Sequence, residues 1–409
     1  MADTVKIAVI GAGASGMMAA GAAASMGADV TLFERNEKPG RKIAITGKGR
    51  CNLTNNCDVN EFLRHVPRNP RFLYAALNAF SPMDTMDFFE ELGVPLKTER
   101  GRRVFPVSDR AFDIVDALKK YCRVNGVKSV HAKIDGVTAE DGAVTGVTYG
   151  GRTEAFDRVI VATGGLSYPT TGSDGDGYAF AESLGMTVSP TYPSLVPLTA
   201  GKPCADLSGL TLKNVRLSVR DNKNGKIVYT EMGEMLFAHF GLTGPLVLSA
   251  SAHLERGGDY TAVIDFKPAL DEKTLDARLL ADFDKYKNRA MINATADLLP
   301  SALLPHLLRY AGVDLEKKCN SLKKEERARI LAALKGFGIK ITGTRPIDEA
   351  IITAGGVDVK GLYPKTMESR AVKGLYFCGE VLDVDAYTGG YNLQIAFSTG
   401  RAAGLAAAM

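Results

Sequence analysis

A chain of 409 residues, 45% hydrophobic and 23% charged, exceeds what one hydrophobic core ordinarily supports, so two or more domains are expected. Its formal net charge of +4 is too mild to point to nucleic acid or an acidic membrane, which leaves a small-molecule substrate as the expected partner. Six cysteines show no C-x-x-C and no zinc-like spacing, so they are expected reduced and mostly buried, and no metal site is predicted.

The first recognisable stretch runs from Val5 to Glu34. An apolar β-rich run is followed by the turn Gly11-Ala12-Gly13-Ala14-Ser15-Gly16, a small-residue helix, and a second apolar run closing on Glu34. This is G-x-G-x-x-G in the context that gives it meaning: it leaves a strand, opens a helix and meets a carboxylate about 20 residues on. Gly11 permits the tight turn, Gly13 lets a pyrophosphate approach backbone, and Gly16 lets the helix pack close to the sheet. The helix N-terminus, at Ala14 and Ser15, offers free N–H groups to the phosphates. Glu34 can accept from ribose hydroxyls and repels a 2′-phosphate, so the ligand is a dinucleotide such as FAD or NAD. The uncharged run Ala8–Ala28 has no basic segment before it and breaks into strand plus helix, unlike a leader or a membrane span; the default location is cytoplasmic.

Arg35 to Asn55 forms a long polar, glycine-rich loop directly after the ribose-binding strand, the kind that lines a ligand. Arg41 and Lys42 either screen pyrophosphate charge or form solvated surface. Thr46, Gly47, Gly49, Arg50, Cys51 and Asn52 offer donors toward the reactive end of a cofactor. Residues 70–125 read as helices broken at 78–84. Val127–Ala132 reads as a third parallel strand, and Lys133–Val137, Ala143–Tyr149 and Arg152–Phe156 as an antiparallel meander. Asp157 to Gly165 is a buried parallel strand ending in glycines, followed by a glycine-rich loop and a helix to Gly185. Prolines at 190, 193 and 197 mark a domain exit. Residues 193–270 are expected to be β-rich and 271–335 helical, with the mixed charges of Lys317–Arg329 on a solvated helix face. The strand GLYFCGE (374–380) and the turn Thr388–Gln394 then open a last helix. The expected organisation is an α/β, Rossmann-like domain from residues 1–192 and 346–409, interrupted by an insert at 193–345.

The combination GAGASG…E, RVIVATGG and GLYFCGE…GGYNLQIAFSTG resembles flavoproteins of the glutathione-reductase type with a split FAD-binding domain. More narrowly, ITGKGRCNLTN, EMLFAHFGLTGP, TAGGVDVK and GEVLDVDAYTGGYNLQ are similar to the bacterial BaiN/YhiN-type flavoproteins, which include aminoacetone-oxidase-like enzymes; the likeness spans essentially the whole chain. The resemblance implies non-covalent FAD, a β-rich and helical insert over the flavin, and oxidoreductase chemistry. It assigns Gly11, Gly13 and Gly16 to the pyrophosphate, Glu34 to the ribose and Ala132 or Lys133 to adenine, with Arg35 also among the cofactor-binding residues. Ala162, Thr163 and Gly164 would flank the cofactor, Gly379 and Glu380 would meet its pyrophosphate–ribityl end, and Gly390, Tyr391, Asn392 and Leu393 its pyrimidine edge. TAGGV before a GLYxxGE strand is also similar to the fumarate-reductase type, but the histidine that type places before the paired glycines is absent from Ile351–Ala354, which argues against a dicarboxylate substrate.

Three functions stand on these residues. One is an FAD-dependent reductase drawing on transiently bound NAD(P)H to saturate an activated C=C in an apolar, steroid- or bile-acid-like substrate. A second is an oxidase of a small amine such as aminoacetone, producing H2O2. A third is a non-enzymatic flavin-binding sensor or assembly factor. The catalytic candidates are His239, in LFAHFGLTGP, with Tyr391 as proton donor and Arg50 as a partner for an anion; each of the three also has a purely structural reading.

Overall fold

A computed structural model describes residues 4–294 and 298–409. The chain divides into two compact units, one from Met1–Ser194 and Pro346–Met409, the other from Leu195–Arg345. Prolines mark both crossings: Pro193 and Pro197 flank the first and Pro346 opens the return, as suits a residue that cannot donate to a continuing ladder.

In the first unit, strands β1 (Lys6–Ile10), β2 (Asp29–Glu34), β3 (Lys128–His131), β4 (Arg158–Val161) and β5 (Leu375–Phe377) form one sheet in the order β5-β4-β1-β2-β3. Every neighbouring pair is parallel, with Ile10 opposite both Phe33 and Val161. β1 is the central strand, and Ile7, Ala8 and Val9 are fully buried, the unbroken apolar run of a strand covered on both faces. Helix α1 (Ala14–Ser25) joins β1 to β2, and α2 (Tyr391–Ala407) ends the chain. The two pack backbone to backbone: a Cβ on Gly400 would lie 2.4 Å from the Ser15 oxygen, and one on Gly404 2.2 Å from that of Ala19. The Gly/Ala composition of both helices is the condition for that approach, and larger side chains would push them apart.

The meander is present at Gly136–Glu140, Ala143–Tyr149 and Arg152–Ala155. Its first strand starts three residues later than the sequence suggests, because Lys133 and Ile134 line a cavity instead. Helices Pro70–Ala79, Pro82–Glu91 and Ala111–Val124 fill the helical region, the second begun by a Ser81–Asp84 capping box. Between them lies an unexpected hairpin, Leu96–Glu99 against Arg103–Pro106, on which Thr54–Asn55 adds a third short strand. Strands of two to four residues rich in charge carry no readable alternation.

The second unit is built on a closed six-stranded barrel: Leu198–Ala200, Gly241–Thr243, Ile227–Ala238, Thr211–Asp221, Tyr260–Asp265 and Phe337–Thr344 in spatial order. Val215, Leu217 and Val219 alternate inward along the longest pairing, the period-2 pattern of a barrel wall. Helices Glu272–Lys285, Leu304–Tyr310 and Lys324–Lys335 follow the fifth strand in the chain and the last strand closes the barrel after them. The Lys317–Arg329 charges are largely spoken for: Lys317 pairs with Glu326 at 2.8 Å and Arg327 with Asp276 at 2.8 Å. Among the described residues no helix is long and apolar enough to cross a membrane.

Candidate functional site

A cavity in the first unit opens at the carboxyl ends of β1, β2 and β4, where a doubly wound sheet presents its loops. The three fingerprint glycines divide their work. Gly11 has φ of +100°, and a Cβ there would lie 2.6 Å from the Ala162 oxygen; one on Gly16 would lie 1.8 Å from the Gly11 oxygen. Those two glycines are required by the fold itself. Gly13 is different: a Cβ there meets nothing within 4 Å, and the residue lines the cavity. It is also the N-cap of α1, with no side chain capping the helix, so the first-turn amides and the positive end of the helix dipole are open to an anion.

Glu34, at the end of β2, is held by three donors. Its Oε2 accepts from the Ala12 amide at 2.8 Å, and its Oε1 from the Asn36 amide at 2.8 Å and the Asn36 side chain at 2.7 Å. The carboxylate is thereby oriented and retains lone pairs for a ribose. Arg41 and Lys42 both reach the wall, Arg41 donating to Asn36 Oδ1 at 2.8 Å. Lys42 pairs with Glu380 and donates to Ser167 at 2.6 Å; Glu380 in turn accepts from Ser167 at 2.6 Å and the Thr353 amide at 2.9 Å. Arg35 pairs with Asp174 at 2.5 Å and Asp176 at 3.2 Å. Ala14, Ser15, Ala132, Lys133, Ala162, Thr163, Gly164, Asn392 and Leu393 complete the expected part of the lining. The Thr163 hydroxyl is buried with no hydrogen-bond partner among the described residues and is turned toward Gly177, where a Cβ would lie 2.2 Å from it. Asn36, Thr353, Ser167, Asp174 and Asp176 join this network without any sequence mark of a ligand-facing role. Asn36 lies two residues from Glu34, but the others follow from spatial neighbours that no local pattern reports.

Several expected residues do not line this cavity. Gly16, Gly379 and Gly390 are closed off by packing: Cβ atoms there would strike Gly11, Ser15 and Thr54 respectively. Tyr391 is 6% exposed, its ring stacked on His65 at 4.7 Å and edge-on to Phe62 at 5.0 Å. Gly47, Gly49, Arg50, Cys51 and Asn52 form a turn beside the hairpin. Arg50 is engaged there by Glu99 and by Asp109 at 2.6 Å, and lies 4.2 Å over Phe105. It is a clasp for the hairpin, not an uncommitted cation. Burial pushes the Cys51 thiol up to about 12, which removes it as a nucleophile at neutral pH. His239, in the second unit, stands exposed on the turn between Ile227–Ala238 and Gly241–Thr243, 5.0 Å from the Phe240 ring.

One polar cluster joins two acids of the GEVLDVDAYTGG stretch to residues far away in the chain. Asp385 is fully buried; Ser194 donates to it at 2.6 Å, and Arg68 lies 3.4 Å from it and 3.6 Å from Asp383. Burial first, then the neighbouring Asp383, raise Asp385 to about 6 against the pull of Ser194 and Arg68.

With this geometry in place, the comparison with known proteins is decisive: the model of the family described as HI0933-like protein Rossmann domain matches residues 5–406. The chain belongs to that family. The HI0933-like chain is 34% identical over 413 aligned positions to the 3-dehydro-bile acid delta(4,6)-reductase of Clostridium scindens, covering 98% of this chain and 99% of that protein. It is 33% identical over 396 positions to the ribosomal RNA dihydrouridine synthase of Escherichia coli, covering 96% and 95%. Among solved structures it shares the fold of the 3-ketosteroid-delta4-(5alpha)-dehydrogenase of Rhodococcus jostii, with a TM-score of 0.54 at 16% identity over 99% of this chain and 97% of that one. The HI0933-like chain is an FAD-dependent oxidoreductase with a Rossmann-type FAD-binding domain.

Proposed function

We propose that this HI0933-like protein takes hydride from NAD(P)H and reduces a carbon–carbon double bond conjugated to a carbonyl, in an apolar substrate of the steroid type. Bound FAD supplies the two-electron carrier that joins the two halves of such a reaction. The residues present fit that cofactor: the open space over Gly13, the uncapped N-terminus of α1 and the oriented Glu34 carboxylate are what a pyrophosphate and a ribose require. That conjunction is the observation that carries the reading. Lys42 and Arg41 add positive charge along the same wall, with Glu380 fixing Lys42 in place. The N-terminus of α2 brings Asn392 and Leu393 to the wall, so its dipole favours any negative charge that accumulates there. Tyr391 is enclosed by Phe62 and His65.

The reductase relative of nearly equal length supports the substrate class, since its name describes a delta(4,6) double-bond reduction in a 3-dehydro-bile acid. Anaerobic NADH or NADPH should bleach the flavin of the purified protein, and a steroid dienone should restore its colour. Bleaching by aminoacetone alone, with peroxide formed on readmitting O2, would overturn the reading in favour of an amine oxidase.

A second reading keeps the chemistry and changes the substrate. Dihydrouridine formation also saturates a C=C conjugated to a carbonyl, that of a uracil ring. A relative 33% identical is named for that reaction on ribosomal RNA, barely less similar than the one named for bile acids. Incubating unmodified ribosomal RNA with the protein and NADPH, followed by mass spectrometry for dihydrouridine, separates the two readings.

A further inference from the structure

Two adjoining hollows on the first unit share Pro70 and Arg71 in their walls. Together they are lined by four cations, Arg64, Arg71, Lys360 and Arg370, and by no aspartate or glutamate. Elsewhere on this unit cations meet carboxylates, as Arg50 meets Glu99 and Asp109, and Lys128 meets Asp29. Here only Arg64 does, through Glu61 at 2.8 Å. Arg370 donates to the Leu362 oxygen at 3.0 Å and lies 4.3 Å over the Tyr363 ring. The side chains of Arg71 and Lys360 have no partner among the described residues. Tyr74 opens onto the same groove with 55% of its surface exposed.

Like charges gathered without counter-charges repel, and the arrangement becomes favourable when a polyanion lies along it. A cationic track with an exposed aromatic ring is the pattern that follows a sugar–phosphate backbone while a base stacks on the ring. A phosphopeptide would satisfy the arginines but would bring no planar base to Tyr74. We propose that this groove docks single-stranded RNA, its phosphodiesters on Arg71, Lys360, Arg64 and Arg370 and a base on Tyr74. The proposal rests on the uracil reading above. The groove is also tied to the cofactor cavity: Asn69, in its wall, donates to the Asp383 oxygen at 2.7 Å, and the segment after Asp383 runs on to Asn392 and Leu393 at the cavity wall.

The test is fluorescence anisotropy of the flavin-loaded, full-length protein with a labelled uridine-rich RNA of about 12 nucleotides. Four phosphate contacts predict that the affinity falls with salt at a log–log slope of about −3. Arg71→Glu and Lys360→Glu should each weaken binding by at least roughly tenfold and flatten that slope. Tyr74→Ala should weaken RNA binding by about tenfold and leave binding of inorganic polyphosphate unchanged, since only RNA stacks. All three residues are exposed, and the visible flavin spectrum with the melting temperature confirms that each variant folds. RNA binding that ignores all three substitutions overturns the groove assignment while leaving the uracil reading standing. Tight binding of a phosphopeptide with none of RNA overturns the choice of partner. Dihydrouridine formation by the wild-type protein, measured separately, tests the reading itself.

Discussion

Glu34 accepts a hydrogen bond from the Ala12 amide at 2.8 Å, which joins the end of β2 to the turn that leaves β1. The Glu34 carboxylate and the glycine turn are thus one unit, and disturbing either disturbs both. In Glu34→Gln, the new NH2 must face the Ala12 amide or the Asn36 donors, so one acceptor is lost and a donor meets a donor. A charge-assisted bond of this kind is worth about 1.5–3 kcal/mol. FAD affinity, measured by flavin fluorescence against dialysed apoprotein, should fall by about tenfold to a hundredfold, and an unchanged affinity would contradict the assignment.

Gly13 and Gly16 differ by three positions and should differ in kind when replaced. Gly13→Ala puts a methyl group into open cavity space, so the apoprotein should melt as the parent does while FAD affinity drops. Gly16→Ala puts it 1.8 Å from a backbone oxygen, a clash with no flexible partner to yield, and should lower the melting temperature of the apoprotein itself. Thermal scans with and without FAD separate the two; equal apoprotein losses would rule out a ligand-facing Gly13.

Arg50 holds the hairpin between Glu99 and Asp109, and its guanidinium, through the shared hydrogen bond, depresses Glu99 below the usual carboxylate range. In Arg50→Ala, amide exchange across 96–106 should quicken while bound flavin is retained. Loss of turnover with exchange unchanged would restore Arg50 to a catalytic role.

Asp385 makes a pH prediction of definite sign. Its ordinary value of 3.8 is raised to about 6 in the fold, so between those values the native state holds a proton that the unfolded chain has released. Stability from this group is therefore full below about pH 4 and lost as pH rises through about 6. The shift corresponds to about 3 kcal/mol. Asp385→Asn keeps an acceptor for Ser194 and removes the buried charge. It should equal the parent in denaturant stability near pH 4 and exceed it at pH 8; a variant weaker than the parent at pH 8 would show that the Arg68 pair outweighs burial.

How much of this was readable in the sequence depended on the range of the signal. The Gly11–Gly16 turn, β1, β2 and Glu34 are local and periodic, and the structure has them where the spacing put them. Lys42, Glu380, Thr353 and Asp385 all stand in stretches the sequence singles out, but the pairings Lys42–Glu380, Ser167–Glu380 and Arg68–Asp385 join residues hundreds of positions apart, so no local pattern reports them. The hairpin at 96–106 is too short for its alternation to register, and closure of the barrel depends on Phe337–Thr344, a strand placed after a helical run. Arg50 stood in a motif, but motif membership does not distinguish a ligand contact from a clasp. Net charge misinforms in a similar way: +4 averaged over the chain is silent about the cations gathered around Arg71, of which only Arg64 meets a carboxylate.

The central claim is that the first unit, assembled from both ends of the chain, binds FAD at the Gly13–Glu34 cavity. The most direct measurement is a titration of the deflavinated full-length protein with FAD, followed by visible absorption and fluorescence, for the parent and for Gly13→Val. The parent should bind one FAD per chain and turn yellow, and the folded variant should bind far more weakly. A parent that stays colourless, or a Gly13→Val protein that binds FAD as tightly as the parent, would contradict it.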